Sequence, residues 1–158
     1  MNNQYQLYFA YGSNLNYSQM KKRCHTAEVV SRARKLNHKL CFPIISKNRG
    51  NMGVASIKKS KGNTVEGVIY SISNKDLQTL DKFEASGHRY KRKKVFVNLN
   101  EDKKKLVWTY IAISDHVENY LPSDSYLNLI ISGAKEHRLP KKYIERIKKG
   151  VSITHPFK

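Results

Sequence analysis

The run Tyr11-Gly12-Ser13-Asn14-Leu15 is the first place in the chain where residue types and spacing suggest chemistry. It follows a segment that reads as a strand and precedes one that reads as a short helix, so a loop there can turn successive backbone amides toward an anion. Glycine permits close backbone approach, and adjacent N–H groups can cradle a carboxylate. Gly-Ser-Asn is also ordinary turn vocabulary, and local chemistry alone leaves a plain tight turn as the alternative. The run is neither a P-loop nor a Gly-x-Ser-x-Gly elbow, which argues against Ser13 as a covalent nucleophile. Cys24 and His25 are sequence neighbours, but a Cys/His nucleophilic pair would have to be assembled by the fold. Neither Cys24 nor Cys41 belongs to a CxxC pair. His38, His88, His116, His137 and His155 lack metal-ligand spacing and read as surface or partner-bonded side chains. The expectation is therefore no metal, no disulfide framework and no cofactor.

Further segments follow the loop in a fixed order. They are Gly53-Val54-Ala55-Ser56-Ile57, Val65-Glu66-Gly67-Val68-Ile69-Tyr70 and Leu80-Asp81-Lys82-Phe83-Glu84, then Ser125-Tyr126, Gly133-Ala134-Lys135-Glu136 and Leu139-Pro140 with Tyr143. Together with Phe9 to Leu15 this ordered set resembles the gamma-glutamylcyclotransferases and their AIG2-like, butirosin-protein-G-like relatives, from about Leu7 to Lys148. The resemblance implies a small barrel-like α+β fold whose first loop holds the α-carboxylate of a γ-glutamyl group. It implies an essential glutamate at Glu84, and a substrate-binding set of Tyr11, Gly12, Ser13, Asn14, Leu15, Tyr90 and Tyr126. For Tyr90 and Tyr126, core packing is the plainer reading, since tyrosine is ordinary partly buried filling. For Glu84 it is a solvated helix-end acid, although a carboxylate at the carboxyl end of a helix meets the unfavourable end of the macrodipole and is not placed there for stability. Ala85-Ser86-Gly87 departs from the Glu-Gly start often seen in the family, a change that bears on the entrance rather than the carboxylate.

The implied reaction needs few parts. In a γ-glutamyl compound the α-amine attacks its own γ-carbonyl, closes a five-membered lactam and expels the leaving amine, giving 5-oxoproline. One carboxylate lying between the two nitrogens can take the proton from the α-ammonium and return it to the leaving nitrogen. A position beside Phe83 and other apolar groups raises its pKa toward neutrality. The leading expectation is a γ-glutamyl amino acid or peptide as substrate. A γ-glutamylamine or a γ-glutamyl-acylated antibiotic is the alternative within the fold, and a glutathione-specific branch fits less well after Tyr-Gly-Ser. The non-enzyme alternative is a basic module that binds nucleic acid.

The elements that must hold these residues are legible in outline. Gln6 to Ala10 reads as a strand, with a short helix to Arg23 capped by Asn16 or Ser18. Glu28 to Leu36 and Lys39 to Phe42 read as strands ended by Pro43, with 44 to 53 a loop. Val54 to Lys58 and Thr64 to Ile72 read as a hairpin joined by Lys59 to Asn63. Ser73 with Asp76 resembles a capping box for a helix with Leu77, Leu80 and Phe83 on its apolar stripe, closed by Gly87. Tyr90 to Leu99 and Leu106 to Ile113 read as a strand pair. Asp124 or Ser125 is the expected cap of a helix burying Tyr126, Leu129, Ile130, Gly133, Ala134 and His137, and Pro140 opens a last helix ended by Gly150. The fold class is α+β, with a mixed or antiparallel curled sheet or small β-barrel and flanking helices.

At 158 residues the chain has the size of one domain, read as 1–158, and an apolar fraction of 39% argues against disorder. No repeat or linker divides it. The net charge of +18 is scattered from Lys21 to Lys158 and is richer in Lys than in Arg, which favours a solvated surface over a nucleic-acid interface. Met1 to Phe9 has neither a basic n-region nor an apolar h-region, and no run approaches a membrane span, so the expected setting is cytoplasmic. The expected partner is a small γ-glutamyl molecule, without nucleic acid or membrane. A homodimer is left open.

Overall fold

The computed structural model describes residues 4–85, 89–113 and 119–154, apart from the side chains of residues 85 and 151–154. Five strands close a barrel: β1 (Tyr5–Ala10), β2 (Glu28–Ser46), β3 (Met52–Ser73), β4 (Tyr90–Asn98) and β5 (Lys104–Ala112), in spatial order β1-β3-β2-β4-β5. All pairings are antiparallel except the β1–β5 closure, which is parallel with Tyr8 opposite Trp108. Among the described residues four α-helices surround it: α1 (Tyr17–Arg23), α2 (Asn74–Ala85), α3 (Asp124–Glu136) and α4 (Lys141–Thr154). The barrel form of the expected α+β fold is the one adopted.

Apolar residues are buried on both faces of the sheet, with Phe9, Val65 and Ile69 on one and Val68, Tyr70 and Ile72 on the other. Phe9, Val65, Val68, Tyr70, Ile72, Val97 and Val107 are almost wholly buried, and Leu80 of α2 and Ile130 of α3 extend the same core outward. Asn16 caps α1 by accepting the Gln19 amide at 3.0 Å. Ser73 accepts the Asp76 amide at 3.1 Å, as a capping residue should, but the reciprocal half of the box is replaced. The Ser73 amide donates to Thr26 Oγ1 at 3.0 Å, while Asp76 accepts from the amide and hydroxyl of Thr26, tying α2 to the start of β2.

Several expected boundaries are corrected. Lys59 to Asn63 does not join a hairpin, because β3 runs unbroken through it against β2, with Leu36 opposite Thr64 and His38 opposite Lys59. Residues 60–63 therefore bulge opposite Asn37, which adopts a φ of 57° and accepts the Gly62 amide at 3.1 Å. Pro43 lies inside β2, where the register slips between Cys41 and Ile44 and no ladder hydrogen bond is asked of it. Residues 44–53 hold the end of β2, a 3₁₀ turn at Lys47–Arg49 and the start of β3. Ser123, one residue ahead of the expected caps, accepts the Tyr126 amide at the start of α3, and α4 continues past Gly150 to Thr154. Gly87, His88, His116 and His155 lie outside the described residues.

Candidate active site

A strand-to-turn corner supplies the floor of the site. Where β1 ends, Ser13–Leu15 form a 3₁₀ turn in which the amides of Leu15 and Asn16 bond back to the carbonyls of Gly12 and Ser13, each at 3.0 Å. The amides of Gly12, Ser13 and Asn14 precede those bonds and take no part in them. A methyl group at Gly12 would stand 3.4 Å from Ala55 Cβ and 3.7 Å from the Tyr126 hydroxyl. These are ordinary contacts, so glycine here keeps space open above the loop rather than relieving a clash.

That space is a cavity of about 140 Å³ lined by Tyr11, Gly12, Ser13 and Asn14, by Glu84, and by Tyr8, Arg23, Arg49, Tyr90 and Tyr126, among others. Beyond the loop itself and Tyr8 of β1, each comes from a different element: Arg23 from the end of α1, Arg49 from the turn between β2 and β3, Glu84 from α2, Tyr90 from β4 and Tyr126 from α3. Helix α2 is pinned over the barrel through Asp81, which accepts from Tyr110 Oη at 2.6 Å and pairs with Arg92 at 3.3 Å. This fixes the last turn that carries Glu84.

Asn14 is the hub. Its Nδ2 donates to Glu84 Oε1 at 3.3 Å and to Tyr8 Oη at 3.0 Å, and its Oδ1 accepts from Gln19 Nε2 and Arg23 Nη1, both at 3.0 Å. Arg23 also lies 3.6 Å from Glu84 Oε1 and stacks over the Phe83 ring at 4.7 Å. Gln19 donates to Ser13 Oγ at 2.8 Å and accepts from Arg49 Nη2 at 2.9 Å. Burial lifts the Glu84 carboxyl above the usual carboxylate range, and Arg23, Arg49 and the Asn14 hydrogen bond only partly oppose it.

This shift couples to stability. The folded chain holds the Glu84 proton to higher pH than the unfolded chain, so its contribution is complete below the ordinary glutamate value and is lost as pH rises through the raised one. The stability of a Glu84→Gln variant relative to wild type should therefore grow between pH 4 and pH 8. Thermal melts of both proteins across that range test this, and a constant difference would refute it.

The two tyrosines expected at the pocket are at once wall and core. Tyr90 Oη donates to the Ala55 carbonyl at 2.7 Å and Tyr126 Oη accepts the Ala55 amide at 2.9 Å, so both rings stay buried while their hydroxyls fix the backbone opposite the loop. Leu15, expected among the substrate contacts, is fully buried beneath the loop and does not line the cavity. Its carbonyl instead bonds His137 Nε2 at 2.8 Å. Cys24 is buried, with burial pushing its thiol up to about 12, opposite to the shift an activated nucleophile needs, and His25 is exposed. Among the described residues no group of three His, Cys, Asp or Glu side chains could hold a metal ion, and no helix is long and apolar enough to cross a membrane. Reading by sequence missed Arg23, Arg49, Gln19 and Tyr8. Arg23 falls seven residues after Asn16 on the same short helix as Gln19, a spacing that could have drawn attention; Arg49 carried no local signal.

The AIG2-like family model matches residues 64–147, more than half of the chain. The human gamma-glutamylcyclotransferase is 33% identical over 149 residues, covering 90% of this chain and 77% of its own, and the mouse enzyme is 32% identical over 146 residues with the same coverage. This chain belongs to the gamma-glutamylcyclotransferases of the AIG2-like family. A solved gamma-glutamyl cyclotransferase superposes with a TM-score of 0.84 at 32% identity, covering 92% of this chain and 87% of that one. The likeness in sequence and in structure each extends over about nine tenths of this chain.

Proposed function

We propose that the chain cyclises a γ-glutamyl substrate to 5-oxoproline with Glu84 as the proton carrier. The observation that carries this reading is a carboxylate of raised pKa, held by Asn14 at the rim of the loop and facing a small cavity. The amides of Gly12 to Asn14 hold the substrate α-carboxylate. Glu84 takes a proton from the α-ammonium, and the freed amine attacks the γ-carbonyl carbon to form the ring C–N bond. As the tetrahedral intermediate collapses, Glu84 gives that proton to the leaving nitrogen while its bond to the carbon breaks, then takes the second proton from the ring nitrogen and passes it to the freed amine, which departs as an ammonium. Nothing is consumed besides the substrate, because the amide bond is exchanged within one molecule.

Holding the substrate folded back on itself supplies the proximity that such ring closures depend on. Loop amides aimed at the developing oxyanion contribute roughly 3 to 4 kcal/mol in comparable sites. A carboxyl whose pKa is raised toward neutrality exchanges its proton efficiently with both nitrogens. The test is 5-oxoproline release from a panel of γ-glutamyl amino acids, γ-glutamylamines and glutathione. Release from the amino-acid set is the expected result, and no release from any of them would overturn the proposal.

A further inference from the structure

Two guanidinium groups face one carboxylate in this cavity, and they are not equivalent. Arg23 is engaged: it pairs with Glu84, donates to Asn14 and stacks on Phe83. Arg49 has no carboxylate within ion-pairing distance among the described residues. Its contacts are one hydrogen bond from Nη2 to the side-chain oxygen of Gln19 and the face of Tyr126, 5.2 Å from the guanidinium carbon. Burial and the neighbouring Arg23 both disfavour its charge, yet guanidinium stays protonated. Glu84 and Tyr126 favour its charge, Glu84 from beyond ion-pairing distance, so this half-buried cation, held in place by a neutral amide and an aromatic face, has no anion in direct contact among the described residues, and the cavity it lines is where one would bind.

We infer that Arg49 binds the carboxylate of the leaving portion of the substrate, and so makes the enzyme selective for γ-glutamyl amino acids over γ-glutamylamines. The inference rests on the cyclotransferase reading. The charge balance supports it: a γ-glutamyl amino acid carries two carboxylates and one ammonium, whereas a γ-glutamylamine lacks the second carboxylate. The loop amides are committed to the glutamyl end, and Arg23 is committed to Glu84. Arg49 remains, set on the turn between β2 and β3 and presenting a planar fork suited to a carboxylate. Stacking on Tyr126 limits the side-chain freedom lost on binding.

The experiment compares γ-glutamyl-alanine with γ-glutamyl-methylamide, which share the reacting bond and differ in the distal carboxylate. Arg49→Gln should lower kcat/KM for γ-glutamyl-alanine by about tenfold to a hundredfold more than for the methylamide, the range expected for loss of a charge-assisted hydrogen bond. Any effect of Arg49 on Glu84 is common to both substrates and cancels in the ratio. Arg49→Lys, which keeps the charge without the fork or the stacking, should recover part of the preference, and matching melting temperatures exclude a folding defect. Equal losses on both substrates, or no loss on either, would overturn the assignment. Absence of 5-oxoproline from both substrates with the wild-type protein would overturn the cyclotransferase reading and this inference with it.

Discussion

Replacing Glu84 by glutamine should lower kcat for 5-oxoproline release by about 10³- to 10⁴-fold while leaving KM nearly unchanged. General acid–base catalysis by one positioned group is worth about 10² to 10⁴, and in the proposed reaction the same carboxyl serves both nitrogens, which places the expected loss at the upper end. Glutamine is isosteric, and its amide oxygen can still accept the Asn14 Nδ2 hydrogen bond that holds Oε1 at 3.3 Å. What it lacks is a proton to exchange. Steady-state kinetics with direct detection of 5-oxoproline, on protein shown to melt no lower than wild type, decides the matter. A variant retaining more than about a tenth of wild-type kcat would remove Glu84 from the chemistry, since a shuttle cannot be dispensed with so cheaply.

The second large effect is structural and lies beneath the loop. Gly133 of α3 packs directly on the 3₁₀ turn, and a methyl group there would come within 2.3 Å of the Leu15 carbonyl carbon, 2.5 Å of the Asn16 nitrogen and 2.6 Å of Leu15 Cβ. Helix propensity alone would make Gly133→Ala stabilising by up to about 1 kcal/mol. Overpacking against backbone costs about 1 to 3 kcal/mol, occasionally more, and because two of the three atoms met are main-chain atoms, the cost should fall at the upper end and the clash should win with a net loss of about 2 kcal/mol. Gly150 of α4 supplies the control, because nothing lies within 4 Å of a Cβ built there, and Gly150→Ala should be neutral or stabilising by up to about 1 kcal/mol. Urea unfolding of the two variants separates them; equal stabilities would mean that α3 can draw back from the loop without cost. Activity should fall with Gly133→Ala as well, since any shift of Leu15 and Asn16 moves Asn14, which aims Glu84.

Features with a local chemical cause were legible in the sequence. Asn16 at the head of α1 and Ser73 three residues before Asp76 each act through neighbours a few positions away, and Leu77 and Leu80 of the expected α2 stripe are buried, whereas Phe83, the third, is exposed and carries Arg23 on its ring. The strand pair expected over Tyr90 to Leu99 and Leu106 to Ile113 from composition and a charged turn forms as Tyr90–Asn98 against Lys104–Ala112. Misreadings occurred where a distant partner changes what a local signal means. Gly62 and Asn63 are turn residues in any reading of one segment, but Asn37, 25 positions away, takes the Gly62 amide and converts the turn into a bulge within one long strand. Pro43 breaks strands in general, yet here it sits at a register slip that asks nothing of its missing N–H. Of the candidate site, the loop and the glutamate were found through an ordered resemblance rather than through their own chemistry. Arg49 could not be found that way, because its meaning depends on the Tyr126 ring and the Gln19 amide that the fold brings to it.

The placing of β1 at the barrel closure has a consequence for how the chain reaches this state in a growing polypeptide. The strand made first pairs with Val68–Ser73 on one side and with Trp108 on the other, and it is further tied to β5 by Trp108 Nε1 donating to Gln6 and Thr109 Oγ1 donating to the Phe9 carbonyl. Neither partner exists when β1 leaves the ribosome. At synthesis rates of about 5 to 20 residues per second, the interval between β1 and β5 is on the order of 5 to 20 seconds, and the edge of β1 that faces β5 waits through all of it, whereas the edge that pairs with Val68–Ser73 has its partner sooner. Closing the sheet by such distant pairings makes for slow folding. The cavity, whose loop continues directly from β1, takes shape only when that last seam is sewn, so a nascent chain truncated before β5 should hold no assembled site.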